Sequence, residues 1–354
     1  MNIAHCHIAV KLPFAVIAAT AVGALFARLN APLPWMIGPL LTLAIANGLN
    51  AGIRIPMPLR NGGQWLIGTA LGLYFTMPVL EQVGRVVPWI LIALAGTGAI
   101  TLVCTYLLMR IGRVDAATAF FASNPGGATE MSVLAERHQA RIDQVVAAQT
   151  IRVLLVVILV PFAFQFGQLH GGDPYLPGIS VVNGMKLPIL LAAAAAAGAV
   201  LAWRRIPNAW SIGPLLLSAG LTAAGIELSA MPVWLVDAGQ IAVGCALGAR
   251  FSPRFLREAP RFVLGAVISG LTMLIGSVLL GLGVSVLSPI PWTTAILATA
   301  PGGLSEMSLT AKTLQLGVPL VVAFQVVRMV CVVIGAAPGW QRLHRFHDRK
   351  LSQT

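Results

Sequence analysis

The sequence predicts an all-α, polytopic integral membrane protein, and three observations carry that reading. Only 10% of the 354 residues are charged, 57% are apolar, and the mean hydropathy is +0.86. The apolar residues fall in long stretches separated by short basic loops. Four blocks of sequence recur about half a chain apart. An ordinary soluble domain carries roughly 25% charged residues, so this chain cannot cover a water-facing surface. A soluble enzyme, a disordered chain and a disulfide-stapled secreted domain are excluded.

Taken in order, the apolar stretches run over 12–29, 34–50, 62–80, 86–108 and 142–168, then 187–203, 209–226, 232–249, 262–286 and 318–340. A crossing needs about 20 residues, so these are ten spans. The first has Lys11 in front and no small-residue cleavage context, which makes it a span and not a removed signal peptide. Trp35, Trp65, Trp89, Trp210, Trp234 and Trp292 sit near span ends, as interfacial anchors do. Cys6, Cys104, Cys245 and Cys331 show no paired spacing and read as small apolar residues. The His5-Cys6-His7 triplet reads as an unstructured terminus in preference to a metal chelator.

The chain is a tandem duplication. Gly63-Gln64-Trp65-Leu66-Ile67-Gly68-Thr69-Ala70-Leu71-Gly72 recurs as Gly239-Gln240-Ile241-Ala242-Val243-Gly244-Cys245-Ala246-Leu247-Gly248, an offset of 176. At the same offset Pro125-Gly126-Gly127-Ala128-Thr129-Glu130-Met131-Ser132 recurs as Pro301-Gly302-Gly303-Leu304-Ser305-Glu306-Met307-Ser308, and Gln149/Arg152 as Gln325/Arg328. Trp35-x-Ile37-Gly38-Pro39 recurs as Trp210-x-Ile212-Gly213-Pro214 at 175. Such a register marks repeats, with one membrane repeat over 1–175 and a second over 176–354.

Charge placement decides their relative orientation. If each Pro-Gly-Gly segment crossed fully, twelve spans would divide the basic residues ten to eleven. If each enters and returns, there are ten spans, and seventeen basic residues share the side of the termini. Arg28, Arg85, Lys186 and Lys312 then lie opposite, with Arg152 and Arg328 inside spans. Arg110/Arg113 also corresponds to an uncharged loop at 281–292, and the sparsely charged 81–85 loop to the arginines of 250–261. Charge has swapped sides, as five spans per repeat require. The expectation is two inverted five-helix repeats, each with a broken or re-entrant Pro-Gly-Gly helix, in a bacterial inner membrane with both termini cytoplasmic.

Chemistry concentrates at the motifs. Proline lacks an amide hydrogen and glycine loses much backbone entropy, so Pro-Gly-Gly stops a helix. Irregular backbone at membrane depth survives only against protein or a water-filled cavity. Thr129, Glu130 and Ser132, with Ser305, Glu306 and Ser308, fall in or near the first turn of a new half-helix, whose free amides form a partly positive pocket. Two readings stand: simple helix capping, or a substrate and coupling-ion site at duplicated interrupted segments. Arg152 and Arg328, each three residues after Gln149 and Gln325, stand within apolar stretches where an unpartnered arginine costs about 2.5 kcal/mol or more. They either pair internally as Glu130–Arg152 and Glu306–Arg328 or offer a fork of donors to a substrate anion. Asp237, whose counterpart is Asn61, is a further candidate for a coupling ion beside Glu130 and Glu306. Pro125, Gly126, Gly127, Pro301, Gly302 and Gly303 complete the candidate substrate site. No nucleotide-binding or nucleophile motif and no metal or cofactor set is apparent.

Pro34-Trp35-Met36-Ile37-Gly38-Pro39-Leu40-Leu41, Asn124-Pro125-Gly126-Gly127-Ala128-Thr129-Glu130-Met131 and Gln144-Val145-Val146-Ala147-Ala148-Gln149-Thr150-Ile151-Arg152 resemble the membrane AbrB duplication family. The resemblance covers nearly the whole chain and implies a duplicated membrane fold. Members carry labels such as AbrB-type regulator and ammonia monooxygenase. A DNA-reading module has no room in these loops or termini, so no nucleic-acid partner is expected. A monooxygenase needs clustered ligands, whereas His5, His7, His138, His170, His344 and His347 lie at termini or in loops. The expected function is secondary transport of a small, perhaps anionic, solute by alternating access, with no enzymatic activity. The alternatives are a membrane sensor that affects gene expression indirectly and, last, a membrane monooxygenase. The expected partners are the solute and membrane lipid, and a homo-oligomer is left open.

Overall fold

The computed structural model describes residues 3–171, 177–178, 181–226, 228–251 and 259–351, with side chains throughout except at 3–11, Thr129 and 342–351. The His5-Cys6-His7 side chains, Arg254, Arg257, the side chains of the basic tail and the boundary at 175–176 therefore lie outside what is described, wholly or in part. Among the described residues every regular element is a helix. In chain order these are α1 (Ile3–Arg28), α2 (Pro34–Gly48), α3 (Met57–Gly72), α4 (Met77–Gly112), α5 (Ala116–Ser123), α6 (Ala128–Arg137) and α7 (Ile142–Phe166). They are followed by α8 (Leu187–Trp203), α9 (Ala209–Ala223), α10 (Val233–Gly248), α11 (Pro260–Leu287), α12 (Trp292–Thr299), α13 (Leu304–Thr313) and α14 (Val318–Leu351).

Among the described residues four helices are long and apolar enough to cross a membrane: α4, α7, α11 and residues Val318–Gln341 of α14. Leu12–Arg28 of α1, together with α8, α9 and α10, is apolar but shorter. Large apolar side chains on the long helices face outward, among them Leu91, Leu102, Leu279 and Ile334. Outward apolar faces on helices of this length suit lipid, not water.

Helix boundaries depart from the sequence expectation in three regions. Helix α1 already begins at Ile3, so the backbone of residues 5–7 is helical and not an unstructured terminus. Helix α14 continues past 340 to Leu351. The third region lies between α3 and α4. The stretch 62–80 is not one element: α3 ends at Gly72 and α4 starts at Met77, so residues 81–85 lie inside a helix and not in a loop. Pro78 explains the break. It sits in the first turn of α4 after an extended Thr76 (φ −70°, ψ 162°), where a missing N–H costs nothing.

The boundaries otherwise keep the register of the sequence. The ends of α2 recur in α9 175 positions on, and those of α3, α5 and α6 recur in α10, α12 and α13 176 positions on. Packing follows the same register. A Cβ on Gly38 of α2 would lie 2.7 Å from Cα of Gly23 in α1, and one on Gly213 of α9 2.7 Å from N of Gly198 in α8. Only glycine permits backbones to cross that closely. The halves also interlock, α2 against α10 and α3 against α9. At the centre, a Cβ on Gly63 would stand 2.7 Å from the carbonyl oxygen of Gly239, and one on Gly239 3.1 Å from that of Gly63.

Candidate functional site

Both Pro-Gly-Gly runs interrupt the helical path. Helix α5 is capped by Asp115, which accepts from Thr118 N at 2.9 Å, and it ends at Ser123. Asn124 is extended and α6 begins at Ala128. The second half repeats this: α12 ends at Thr299, Ala300 is extended, and α13 begins at Leu304. Each break strands carbonyl oxygens at the end of the first half-helix, deep inside the protein.

Glutamine and arginine from the next long helix take up those carbonyls. Gln149 Nε2 of α7 donates to Phe121 O at 3.0 Å and Asn124 O at 2.8 Å. Arg152 donates from Nη1 to Asn124 O at 2.9 Å and from Nη2 to Gly126 O at 3.3 Å. Gln325 Nε2 of α14 donates to Ala298 O at 3.3 Å and Ala300 O at 3.2 Å. Arg328 donates to Ala300 O and Gly302 O, both at 2.6 Å. Spacing of three on one helix puts each Gln and Arg on a common face. Hydrogen bonds to a charged group contribute about 1.5–3 kcal/mol each. Two such bonds offset a burial cost of about 2.5–3.5 kcal/mol without any carboxylate.

The internal ion pairs are therefore absent. Among the described residues neither Glu130–Arg152 nor Glu306–Arg328 forms a salt bridge, because the guanidiniums point at the stranded carbonyls on one side of the break. The carboxylates lie on the other side, at the start of the second half-helix. Gly127 and Gly303 cap α6 and α13 in extended, negative-φ conformations, so neither glycine is needed for its backbone angles. A Cβ on either would collide with Oε2 of the glutamate three residues on, Glu130 or Glu306. Glu306 also accepts a hydrogen bond from its own backbone amide. That is the geometry of a glutamate reaching back over a helix start. On Gly126 and Gly302 a Cβ would lie 2.7 Å from Met131 and Met307, both fully buried.

The two breaks open onto one cavity of about 100 Å³. Pro125, Gly126, Gly127, Arg152, Gly302, Gly303, Ser305, Glu306, Gln325 and Arg328 line it. The other expected site residues do not. Gln149 and Pro301 are buried behind the wall, Ser132 donates to Ala128 O at 2.5 Å, Ser308 is fully buried and its Oγ has no partner, and the Thr129 side chain lies outside the described residues. Glu130 is not a lining residue, although its charge is felt at Arg250 on the cavity rim. Asp237 is away from the lining. It accepts from Gln240 Nε2 at 3.2 Å, the satisfied local contact that its spacing of three allows.

Five polar lining residues escaped the sequence reading: Arg60, Gln64, Asn208, Ser211 and Arg250. The arginines had been counted as loop charge. Among the described residues the side chains of Arg60 and Arg250 have no hydrogen-bond or ion-pair partner, and they lie within electrostatic reach of each other and of Glu306. Burial first, and Arg60 next, push the Arg250 guanidinium below its ordinary range, while Glu306 and Glu130 pull the other way. A signal for these residues did exist in the repeat. Gln64 recurs as Gln240, but the other four have apolar counterparts at the same offsets: Val236 for Arg60, Tyr74 for Arg250, Leu33 for Asn208 and Met36 for Ser211. All four counterparts are buried in one apolar cluster. The cavity thus has a polar, arginine-lined mouth at one end and an apolar counterpart related to it by the duplication.

The chain is similar to known proteins over most of its length. A Bacillus subtilis (strain 168) protein, YhjN, is 27% identical over 342 residues, covering 89% of this chain and 88% of its own. A protein of Escherichia coli (strain K12) named as a regulator, AbrB, is 25% identical over 315 residues, covering 87% and 89%. The family model described as transition state regulatory protein AbrB matches residues 35–344, and the chain belongs to the AbrB family.

Proposed function

We propose that the protein is a secondary transporter of a small anionic solute, working by alternating access around the paired Pro-Gly-Gly breaks. The observation that carries this is the convergence of two interrupted helices, one from each half, on a single cavity lined by four arginines. Interrupted segments at corresponding positions of two repeats are where such transporters bind substrate and coupling ion. In this reading the membrane domain has ten spans in two inverted repeats, 1–175 and 176–354. The shorter apolar helices complete the crossings, and both termini face the cytoplasm of an inner membrane. Gly126, Gly127, Gly302, Gly303, Ser305, Arg152 and Arg328 shape the solute site. Glu306 and Glu130 are the acids available for coupling, in preference to Asp237.

A ligand-binding sensor is the second reading, favoured by the regulatory description that the family and one relative carry. Purified protein in proteoliposomes separates the two. A transporter accumulates radiolabelled solute when a proton or sodium gradient is imposed and exchanges it without one. A sensor binds the ligand with saturation and moves none.

A further inference from the structure

We propose that Arg60 and Arg250 form the capture site for a small divalent anion, with Ser211 as a neutral donor beside them. The inference rests on the reading of this cavity as the solute site and narrows its substrate class. It begins with charge. Six ionisable side chains surround the cavity or act on its rim: Arg60, Arg152, Arg250, Arg328, Glu130 and Glu306. Arg152 and Arg328 are engaged by the carbonyl ends of α5 and α12. Arg60 and Arg250 lie within electrostatic reach of each other and of Glu306, and the four arginines exceed the two glutamates by two positive charges. Like charges brought together in a partly desolvated place repel, so the arrangement calls for an anion between them.

Unfilled donors point the same way. Ser211 is 1% exposed, lines the cavity, and its Oγ has no hydrogen-bond partner. The Nε atoms of Arg152 and Arg328 are likewise buried and unpartnered. Every unsatisfied group here is a donor or able to act as one, and an oxyanion supplies acceptors for all of them. The cavity, about 100 Å³, suits a short dicarboxylate or a tetrahedral oxyanion and no large solute. The mouth is also one-ended, because Val236, Tyr74 and Met36 stand where the duplication would repeat Arg60, Arg250 and Ser211. The anion is captured at the arginine end in the conformation seen here.

The test is calorimetric titration of the detergent-purified full chain at constant ionic strength. The probes are succinate and malonate, then sulfate and hydrogen phosphate, with acetate and chloride as monovalent controls. Saturable binding of a dianion is expected, with acetate and chloride weaker by about tenfold or more, equivalent to ~1.4 kcal/mol. Preference for the first pair assigns a dicarboxylate, and preference for the second a mineral oxyanion. Arg60→Gln and Arg250→Gln should each weaken dianion binding by about tenfold while the melting temperature without ligand stays near that of the parent. Equal binding of acetate, no binding of any dianion, or undiminished binding in the Arg60→Gln/Arg250→Gln protein overturns the proposal. Dianion binding without flux in proteoliposomes overturns transport and leaves the capture site standing.

Discussion

Arg328 donates from Nη1 to the carbonyl oxygen of Ala300 at 2.6 Å, the last acceptor before Pro301 stops the helix. Arg152 and Asn124 repeat the relationship 176 positions earlier at 2.9 Å. The arginine in each apolar span thus serves the backbone that the motif breaks. Motif and arginine form one unit: without the break there are no stranded carbonyls, and without the arginine the oxygens of Gly126 and Gly302 lose the side-chain donor that serves them.

Arg328→Gln should destabilise the protein by about 1–3 kcal/mol, the cost of an orphaned buried acceptor, since Gly302 loses its charged donor while Ala300 keeps the bond from Gln325. Neutralising Glu306 as well should not restore stability, because the two side chains do not pair. A thermal double-mutant cycle in detergent checks this. Coupling above about 0.5 kcal/mol would reinstate the ion pair.

Gly303→Ala should displace the Glu306 carboxylate, whose Oε2 occupies the space of the new Cβ. The expected result is a lowered melting temperature and loss of solute binding. Glu306→Ala in the same chain should recover much of the stability, since it removes the colliding atom, and with it the binding. A Gly303→Ala protein with parental stability and binding would mean that the glutamate has another resting place.

The apolar counterpart of the mouth gives a prediction about access. Cysteine at Ser211 should react with a membrane-impermeant thiol reagent from the cytoplasmic side only, with Leu33, Met36, Tyr74 and Val236 closing the other end. The same orientation requires residues 110–115 and 204–208 to be protected from outside in intact cells. Labelling of 204–208 from outside would reverse the topology. Tyr74→Ala should open the closed end, a change read as labelling of Ser211→Cys from both sides.

Much of this was legible in the sequence because duplication makes a chain its own comparison. The Pro-Gly-Gly breaks, the Gln/Arg pairs and the offset of 175–176 appear in the helix boundaries as they do in the residues. What Arg152 and Arg328 bind was not legible. Opposite charges 22 residues apart in sequence suggest a pair, but a backbone carbonyl carries no letter, and the broken helix offers several within reach. Arg60 and Arg250 escaped for a different reason. Basic residues near span ends are expected on topological grounds, and only the fold brings these two to one cavity. The start of α4 was misjudged because Met77 and Val79 continue the apolar run, while Pro78 already allows a new helix to begin.

The role of Glu306 is the sharpest question for mechanism. Its carboxylate rests over the start of α13, accepts its own backbone amide and lines the cavity near Arg250. An incoming anion at Arg250 would compete with that carboxylate for the same positive surroundings. The carboxylate is therefore better tolerated beside the empty site, and a proton taken up by Glu306 removes the competition when the site is filled. In the proposed transporter this competition would couple proton uptake at Glu306 to anion binding. Glu306→Gln should bind the anion as well as the parent or more tightly and carry out gradient-free counterflow, yet fail to accumulate solute against a proton gradient. Glu130→Gln, in which the altered carboxylate is not part of the cavity lining, should affect accumulation less. Both are measured by uptake into proteoliposomes with and without an imposed gradient. Parental gradient-driven accumulation in Glu306→Gln would reduce this glutamate to a helix cap and move the coupling site elsewhere.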